Sequence, residues 1–314
     1  MSIQVIKPGL CSLFQDMGRQ GFQHLGVPAN GAMDTEAHRL ANVLVGNTSN
    51  TATLEMTLQG PELLFQVGTV IAIAGADLGA TLNGQPLAPL GAVRVKPGAV
   101  LAFGKRRSGA RGYLAVRGGY GIPRVLGSMS TYIRGAYGGL AGQPLRRGDV
   151  IGIVSNFANP PRVILPKALS TAVDADAPIR VLAGREWARF EPTSHERFLS
   201  AAYRIEKESE RMGYRLTGEP LELISAADIL SEAVGFGTVQ VPPDGQPIIL
   251  MADRQTTGGY PKIANVASID LPRLAQKLPG DQIRFELIEL DEAQRLDLAR
   301  TALLNDLECS RALH

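Results

Sequence analysis

Cysteine is nearly absent from this chain. Its 314 residues hold only Cys11 and Cys309, near opposite ends. That excludes a disulfide scaffold and favours a reducing compartment. Long apolar runs are missing too: no stretch approaches the roughly 20 residues of a membrane-spanning helix. The opening residues, Met1 to Gly9, turn polar too early for a secretory signal. The expectation is a soluble, cytoplasmic protein with no membrane role. Charge imbalance is slight, +2, which argues against a nucleic-acid partner. Aromatics are sparse. The four histidines, His24, His38, His195 and His314, lack a ligand spacing, so no metal is expected. Ser128, in Gly-Ser-Met-Ser-Thr, lacks the second glycine of a nucleophile elbow. Gly104-Lys105-Arg106 lacks the phosphate-loop pattern.

What the chain has in quantity is glycine (35) and proline (20), set between short apolar runs. Hydrophobic residues at 45% are enough for a sizeable core. The pattern predicts a mainly β protein with a few helices. Strands are expected at Ile3–Ile6, Thr53–Thr57, Glu62–Phe65, Val67–Ala74, Tyr113–Val116 and Val150–Val154. Asn83-Gly84 signals a tight hairpin. Phe14 to Pro28 has neither period and reads as a loop. Asp34 or Thr35 can cap a helix through Leu44, with Ala37, Leu40, Ala41 and Leu44 on one face. Further helices are expected over Trp187–Leu199, interrupted at Pro192, over Leu271–Lys277 capped by Asp270, and over Asp291–Leu307. The Asn-Pro-Pro and Asp-Ala-Asp-Ala-Pro stretches mark a linker. The expected division is 1–158, linker 159–178, 179–290 and a C-terminal helix at 291–314.

Three weak echoes recur in the same order at similar offsets. Asp16-Met17-Gly18 matches Arg211-Met212-Gly213. The run ending at Asp77 matches the run ending at Asp253. Pro97-Gly98 before a strand matches Pro279-Gly280. Two homologous β-rich halves are the reading, with Val67–Ala74 as the counterpart of Pro247–Ala252.

The chemistry gathers on loops beside strands, where binding groups usually sit. One group is Gln15, Asp16, Arg19 and Asp34. The other surrounds the apolar run Pro247–Ala252: Gln240, the Pro-Asp-Gly turn with Asp244, then Asp253, Arg254, Gln255, Thr256, Thr257, Gly259, Tyr260 and Lys262, with Glu210 and Arg211 upstream. An arginine can hold a carboxylate or phosphate by two bonds. An aspartate at a strand end can position water or take a proton. So many amides, hydroxyls and glycines around one strand suit a polar ligand with amide or carboxylate groups. Arg134 to Gly142 is either an anion cradle of backbone N–H groups or an ordinary hairpin. The residues alone name no reaction.

Several motifs in order resemble the biotin-dependent carboxyltransferase family, also called allophanate hydrolase subunit 2 or Kip antagonist. They are Gln15-Asp16-Met17-Gly18-Arg19-Gln20-Gly21-Phe22 with Gly31-Ala32-Met33-Asp34, Gly127-Ser128-Met129-Ser130-Thr131-Tyr132, Glu208 to Leu216, and Gln255 to Pro261. The likeness runs from about Ile3 to Glu289, and the stand-alone bacterial members are similar to the C component of 5-oxoprolinase. One departure is Glu210, where the family usually has aspartate. The resemblance implies a pair of cyclophilin-like β-barrel halves related by duplication. It also implies a component of an ATP-dependent 5-oxoprolinase, working with subunits A and B to open 5-oxo-L-proline to L-glutamate. A lactam is a poor electrophile, and phosphorylating its carbonyl oxygen would improve it. Carboxyl transfer from carboxybiotin, as in urea carboxylase, is the second reading, although the chain has no Ala-Met-Lys-Met attachment site. Binding a partner protein, as the Kip antagonist name implies, is the third.

The resulting assignment makes Asp253, Arg211 and Asp16 catalytic. Gln15, Arg19, Asp34, Gln240, Asp244, Gln255, Thr256, Thr257, Gly259, Tyr260 and Lys262 bind substrate. Asp253 is expected to orient water or substrate.

Overall fold

The computed structural model describes residues 1–154, 163–170, 176–225 and 229–310. Residues 159–162 and 171–175 of the expected linker lie outside them; 163–170 ends in a single helical turn. The chain divides into two compact units. The first comprises 1–20, 30–171 and 301–314, the second 21–29 and 172–300. The fold is mainly β with a few helices, built as two cyclophilin-like barrel halves.

The strands of the first unit are β1 (Ser2–Lys7), β2 (Cys11–Gln15), β3 (Thr53–Thr57), β4 (Glu62–Phe65), β5 (Thr69–Asp77), β6 (Ala80–Leu82), β7 (Gln85–Pro86), β8 (Ala92–Val95), β9 (Val100–Phe103), β10 (Ser108–Val116) and β11 (Val150–Gly152). They form two sheets, ordered β11-β1-β4-β9-β6-β7 and β2-β3-β10-β5-β8. Asn83 and Gly84 both take positive φ, 51° and 78°, and turn β6 into β7 as their types predict. Inward residues of both sheets, among them Val5, Phe14, Leu54, Phe65, Ile71, Leu101 and Leu114, make one core. Helix α1 (Thr35–Val45) starts where the spacing placed it. Asp34 accepts the N–H of Ala37 at 2.8 Å, a side-chain N-cap. Leu40, Ala41 and Leu44 then bury against Val70, Ala72 and Ala74 of β5. Leu304 and Leu307 join that cluster.

Helix α2 (Lys167–Ser170) precedes the second unit. Its strands are β12 (Ile179–Ala183), β13 (Tyr203–Ile205), β14 (Gly213–Thr217), β15 (Glu232–Ala233), β16 (Thr238–Gln240), β17 (Ile248–Leu250), β18 (Thr257–Gly258), β19 (Lys262–Val266), β20 (Gln282–Ile283) and β21 (Phe285–Leu287). Eight of them form one sheet, β20-β13-β14-β17-β16-β19-β12-β21, and β15 pairs with β18 apart from it. The two end strands, β20 and β21, are separated only by Arg284. One bent segment therefore nearly closes the sheet into a barrel, which removes exposed edges. Phe198 of helix α3 (Pro192–Ser200) stacks on Phe285 with centroids 4.4 Å apart. Pro192 opens this helix rather than interrupting it, because a proline at the first helical position has no N–H to lose.

Asp270 precedes helix α4 (Leu271–Ala275) but makes no side-chain cap. Its carboxylate accepts from Arg180 Nη2 at 2.7 Å and from Arg273 Nη2 at 2.9 Å. The Arg180 backbone N–H also donates to it at 2.7 Å, so this carboxylate is committed to Arg180 and to the Arg273 side chain rather than to a backbone N–H of α4. Helix α5 (Leu290–Ser310) outruns its expected bounds. The strand equivalence read from the echoes is not reproduced neighbour for neighbour. β5 has nine residues and lies between β8 and β10, both later in the chain. β17 has three and lies between β14 and β16, both earlier.

Candidate functional site

In the first unit Gln15, Asp16, Arg19 and Asp34 are all interior. Asp16 is fully buried. Its Oδ1 accepts from Ser128 Oγ (2.7 Å), Ser130 Oγ (2.6 Å) and Gly18 N (2.9 Å), and its Oδ2 from Met129 N (2.7 Å). Burial alone would raise its pKa, but the bonds from Ser130, Ser128, Met129 and Gly18 outweigh it and hold the carboxyl below its usual range. A carboxylate already holding four donors is poorly disposed to take a reacting proton. The structure makes Asp16 a fastener of the 128–130 segment, not a base.

Arg19 is likewise wholly buried. It donates to Val125 O, Asn30 Oδ1 and Ser130 O at 3.0, 2.8 and 2.9 Å, over the Tyr137 ring. Ser130 thus joins Asp16 through its hydroxyl and Arg19 through its carbonyl. Arg19 and the helix cap Asp34 are inside the fold rather than on a substrate wall. Gln15 Nε2 donates to Thr131 O at 3.2 Å, while its buried Oε1 has no partner.

The glycine-rich loop at 134–142 is the place to test for nucleotide phosphate. The N–H groups of Ala136, Tyr137, Gly139 and Gly142 already donate to Ile133, Tyr132, Met129 and Gly138 carbonyls. A Cβ at Gly139 would lie 1.9 Å from Thr131 Oγ1. The loop is packed onto its own chain and does not fit a phosphate cradle.

In the second unit the expected residues separate along the β16–β17 hairpin. Gln240 pairs with Ile248 beside the turn, whereas Asp253 follows the far end of β17. At that far end Arg211 Nε donates to Asp253 Oδ2 at 2.8 Å and Nη2 to Oδ1 at 2.9 Å. The Asp253 N–H also bonds Arg211 O at 2.8 Å. Both residues are buried. This two-pronged pair engages both carboxylate oxygens, so Asp253 acts first as the partner of Arg211. Glu210, the family departure, is exposed; its backbone exchanges two 3.2 Å bonds with Gly213 and closes the turn that sends Arg211 inward.

Near the hairpin turn, Gln240 is buried and pairs across the sheet with Lys262. Its side chain meets Tyr260 O at 3.4 Å and Gln255 Nε2 at 3.5 Å. Gly258 packs on the same amide: a Cβ there would lie 2.5 Å from Gln240 Nε2. The Lys262 ammonium, also buried, lies 2.8 Å from Glu232 Oε1 and 3.6 Å from Glu186 Oε2. It holds the Glu232 carboxyl below its ordinary range. Arg185 lies against Glu232 as well. Sequence reasoning missed Glu186, Glu232 and Arg185: the first and last lie in the turn after β12 and Glu232 on the two-residue β15, and no local pattern marks them. Thr256, Thr257, Gly259 and Tyr260 follow along the chain, with Thr257 and Tyr260 exposed. Asp244 stands apart: it is exposed in the turn and accepts the Gln246 N–H at 3.0 Å, a local turn contact. Among the described residues no group of three or more His, Cys, Asp or Glu could hold a metal, and no helix is long and apolar enough to cross a membrane.

Barrel halves with these motifs define a carboxyltransferase-type domain. The chain belongs to the family described as carboxyltransferase domain, subdomain A and B, whose model matches residues 25–287. It is 40% identical over 283 residues to the C component of 5-oxoprolinase from Haemophilus influenzae, covering 90% of each chain. It is 36% identical to the same component from Escherichia coli, covering 93% of each. The crystal structure of Kluyveromyces lactis urea carboxylase superposes with a TM-score of 0.91 at 32% identity over 98% of this chain. There the chain spans only 29% of the larger protein.

Proposed function

We propose that this chain is one component of an ATP-dependent 5-oxoprolinase in the cytoplasm, acting with subunits A and B to hydrolyse 5-oxo-L-proline to L-glutamate. The supporting observation is the match to the C component of 5-oxoprolinase along nine tenths of both chains. Opening the lactam breaks one C–N bond; water supplies a hydroxyl to the carbonyl carbon and a proton to nitrogen. The substrate offers an amide and a carboxylate. The second unit presents groups for both: the amides of Gln240 and Gln255, the hydroxyls of Thr256, Thr257 and Tyr260, the Gly259 backbone, Lys262, and the arginine-rich end around Arg211 and Asp253. Since the 134–142 loop does not fit a phosphate, ATP use is assigned to the assembled complex.

The urea carboxylase likeness supports a second reading, carboxyl transfer from a biotin carried on another protein. Purification with both partner proteins, followed by a glutamate assay with ATP and 5-oxoproline, separates the two. Glutamate formed only with all three components supports the hydrolase. Activity only with a biotinylated partner overturns it.

A further inference from the structure

Arg254 is a half-buried cation of the second unit whose hydrogen-bond and ring partners are neutral groups. Its neighbour in sequence, Asp253, commits both carboxylate oxygens to Arg211. Among the described residues no carboxylate lies within ion-pair distance of Arg254. Nε donates to Val234 O at 3.3 Å and Nη1 to Met251 O at 3.4 Å, and the guanidinium faces the Phe236 ring at 5.9 Å. A guanidinium has five N–H donors. Two are engaged, which leaves one donor on Nη1 and two on Nη2, the nitrogens that flank the Nη1–Nη2 edge.

The charges around this edge do not cancel. Arg211 and Asp253 neutralise each other, and Arg254 adds one positive charge. Elsewhere in this unit Arg180 and Arg273 share the Asp270 carboxylate, and Lys262 pairs with Glu232, so each of these cations has a carboxylate within ion-pair distance. A half-buried cation without a counter-charge is costly. Burial indeed pushes the Arg254 guanidinium below its ordinary pKa, and Asp253 offsets this only in part. Two carbonyls and a ring orient this group without neutralising it. The backbone that holds it is itself fixed: β15 pairs with β18, and Val234 N donates to Thr256 O at 3.1 Å.

We propose that the Nη1–Nη2 edge of Arg254 is a receptor for a small carboxylate, held by two parallel N–H bonds, and a specificity-determining element of this unit. On the lactam reading above, on which the ligand's identity rests, the group received is the carboxylate of 5-oxo-L-proline.

Calorimetric titration of the full chain tests this, with sodium 5-oxo-L-prolinate, 2-pyrrolidone (the same ring without the carboxylate), sodium acetate and inorganic phosphate as probes. The expected result is 5-oxoprolinate binding about tenfold or more tighter than 2-pyrrolidone, the scale of one charge-assisted pair. Arg254→Gln abolishes that preference. Arg254→Lys keeps part of it, because an ammonium lacks the fork; it carries the test if a thermal melt shows the Gln variant unfolded. In the assembled complex the same change raises KM for 5-oxoproline about tenfold with kcat within about twofold. An Arg254→Gln chain that keeps the preference overturns the receptor. Arg254-dependent phosphate binding tighter than either carboxylate overturns the carboxylate assignment. Arg254-dependent binding of acetate without 5-oxoprolinate leaves the receptor standing and refutes the lactam reading. Absence of Arg254-dependent binding of any probe refutes the receptor.

Discussion

Asp16 in the first unit and Asp253 in the second are both buried, and they are satisfied in different ways. Asp16 is held by two hydroxyls and two backbone N–H groups, all neutral. Asp253 is held by one guanidinium across both oxygens. The first arrangement knits three loop residues into the core and commits the carboxylate to that task. The second cancels a charge and leaves the adjacent Arg254 uncompensated. A buried carboxylate is therefore not in itself a mark of chemistry. What matters is whether its surroundings leave some other group unmatched.

Substitutions can break this comparison. The largest effect is expected at Arg211. Arg211→Ala strands a buried carboxylate and should cost about 3–5 kcal/mol, read from the urea unfolding midpoint. The double change Arg211→Met with Asp253→Leu should recover most of that loss. If it does not, the pair is more than an ion pair. Asp16→Ala comes next, at about 3 kcal/mol, because it orphans the Ser128 and Ser130 hydroxyls and the Met129 N–H in the interior. Asp16→Asn should lose less, since one amide oxygen still accepts.

The pH dependence follows in size. Asp16 has a lowered folded pKa, so its contribution is full above the unfolded value near 3.8 and is lost as pH falls through the still lower folded value. His38 is fully buried, its ring nitrogens 2.8 Å from Thr53 Oγ1 and Ser49 O. Burial lowers its pKa below 6.5. The unfolded chain then binds the extra proton, so stability is full above pH 6.5 and falls below it. Melting curves from about pH 7.5 to about pH 5 should show that slope, and His38→Gln should flatten it. A slope unchanged in the variant assigns the effect elsewhere. The smallest effect is at Lys7, whose side chain is 74% exposed beside Glu62. Lys7→Ala should change stability by no more than about 0.5 kcal/mol, which sets the scale against the buried pair.

Local features were legible from the chain. The Asp34 cap, the face of α1 and the Asn83-Gly84 turn depend on residues close to one another in sequence. Asp270 shows the limit: its spacing reads as a cap, yet Arg180, 90 residues away, takes its carboxylate. The site was legible as composition only. The second-unit residues named from the sequence fall at the two ends of the β16–β17 hairpin, but Asp16, Arg19 and Asp34 look no different in sequence from Asp253 and Arg254. Their partners separate them, and those depend on which strands become neighbours.

Composition and period by themselves determined that this is a mainly β protein, where its first helix begins, and, through ordered motifs, which family it resembles. They work because short-range sterics and hydrophobic alternation act between residues close in the chain. Only the tertiary structure decided which charges cancel. An ion pair needs its partners within about 4 Å, and the chain brings Arg211 to Asp253 across 42 positions while giving Arg254, the next residue along, no carboxylate within that distance among the described residues.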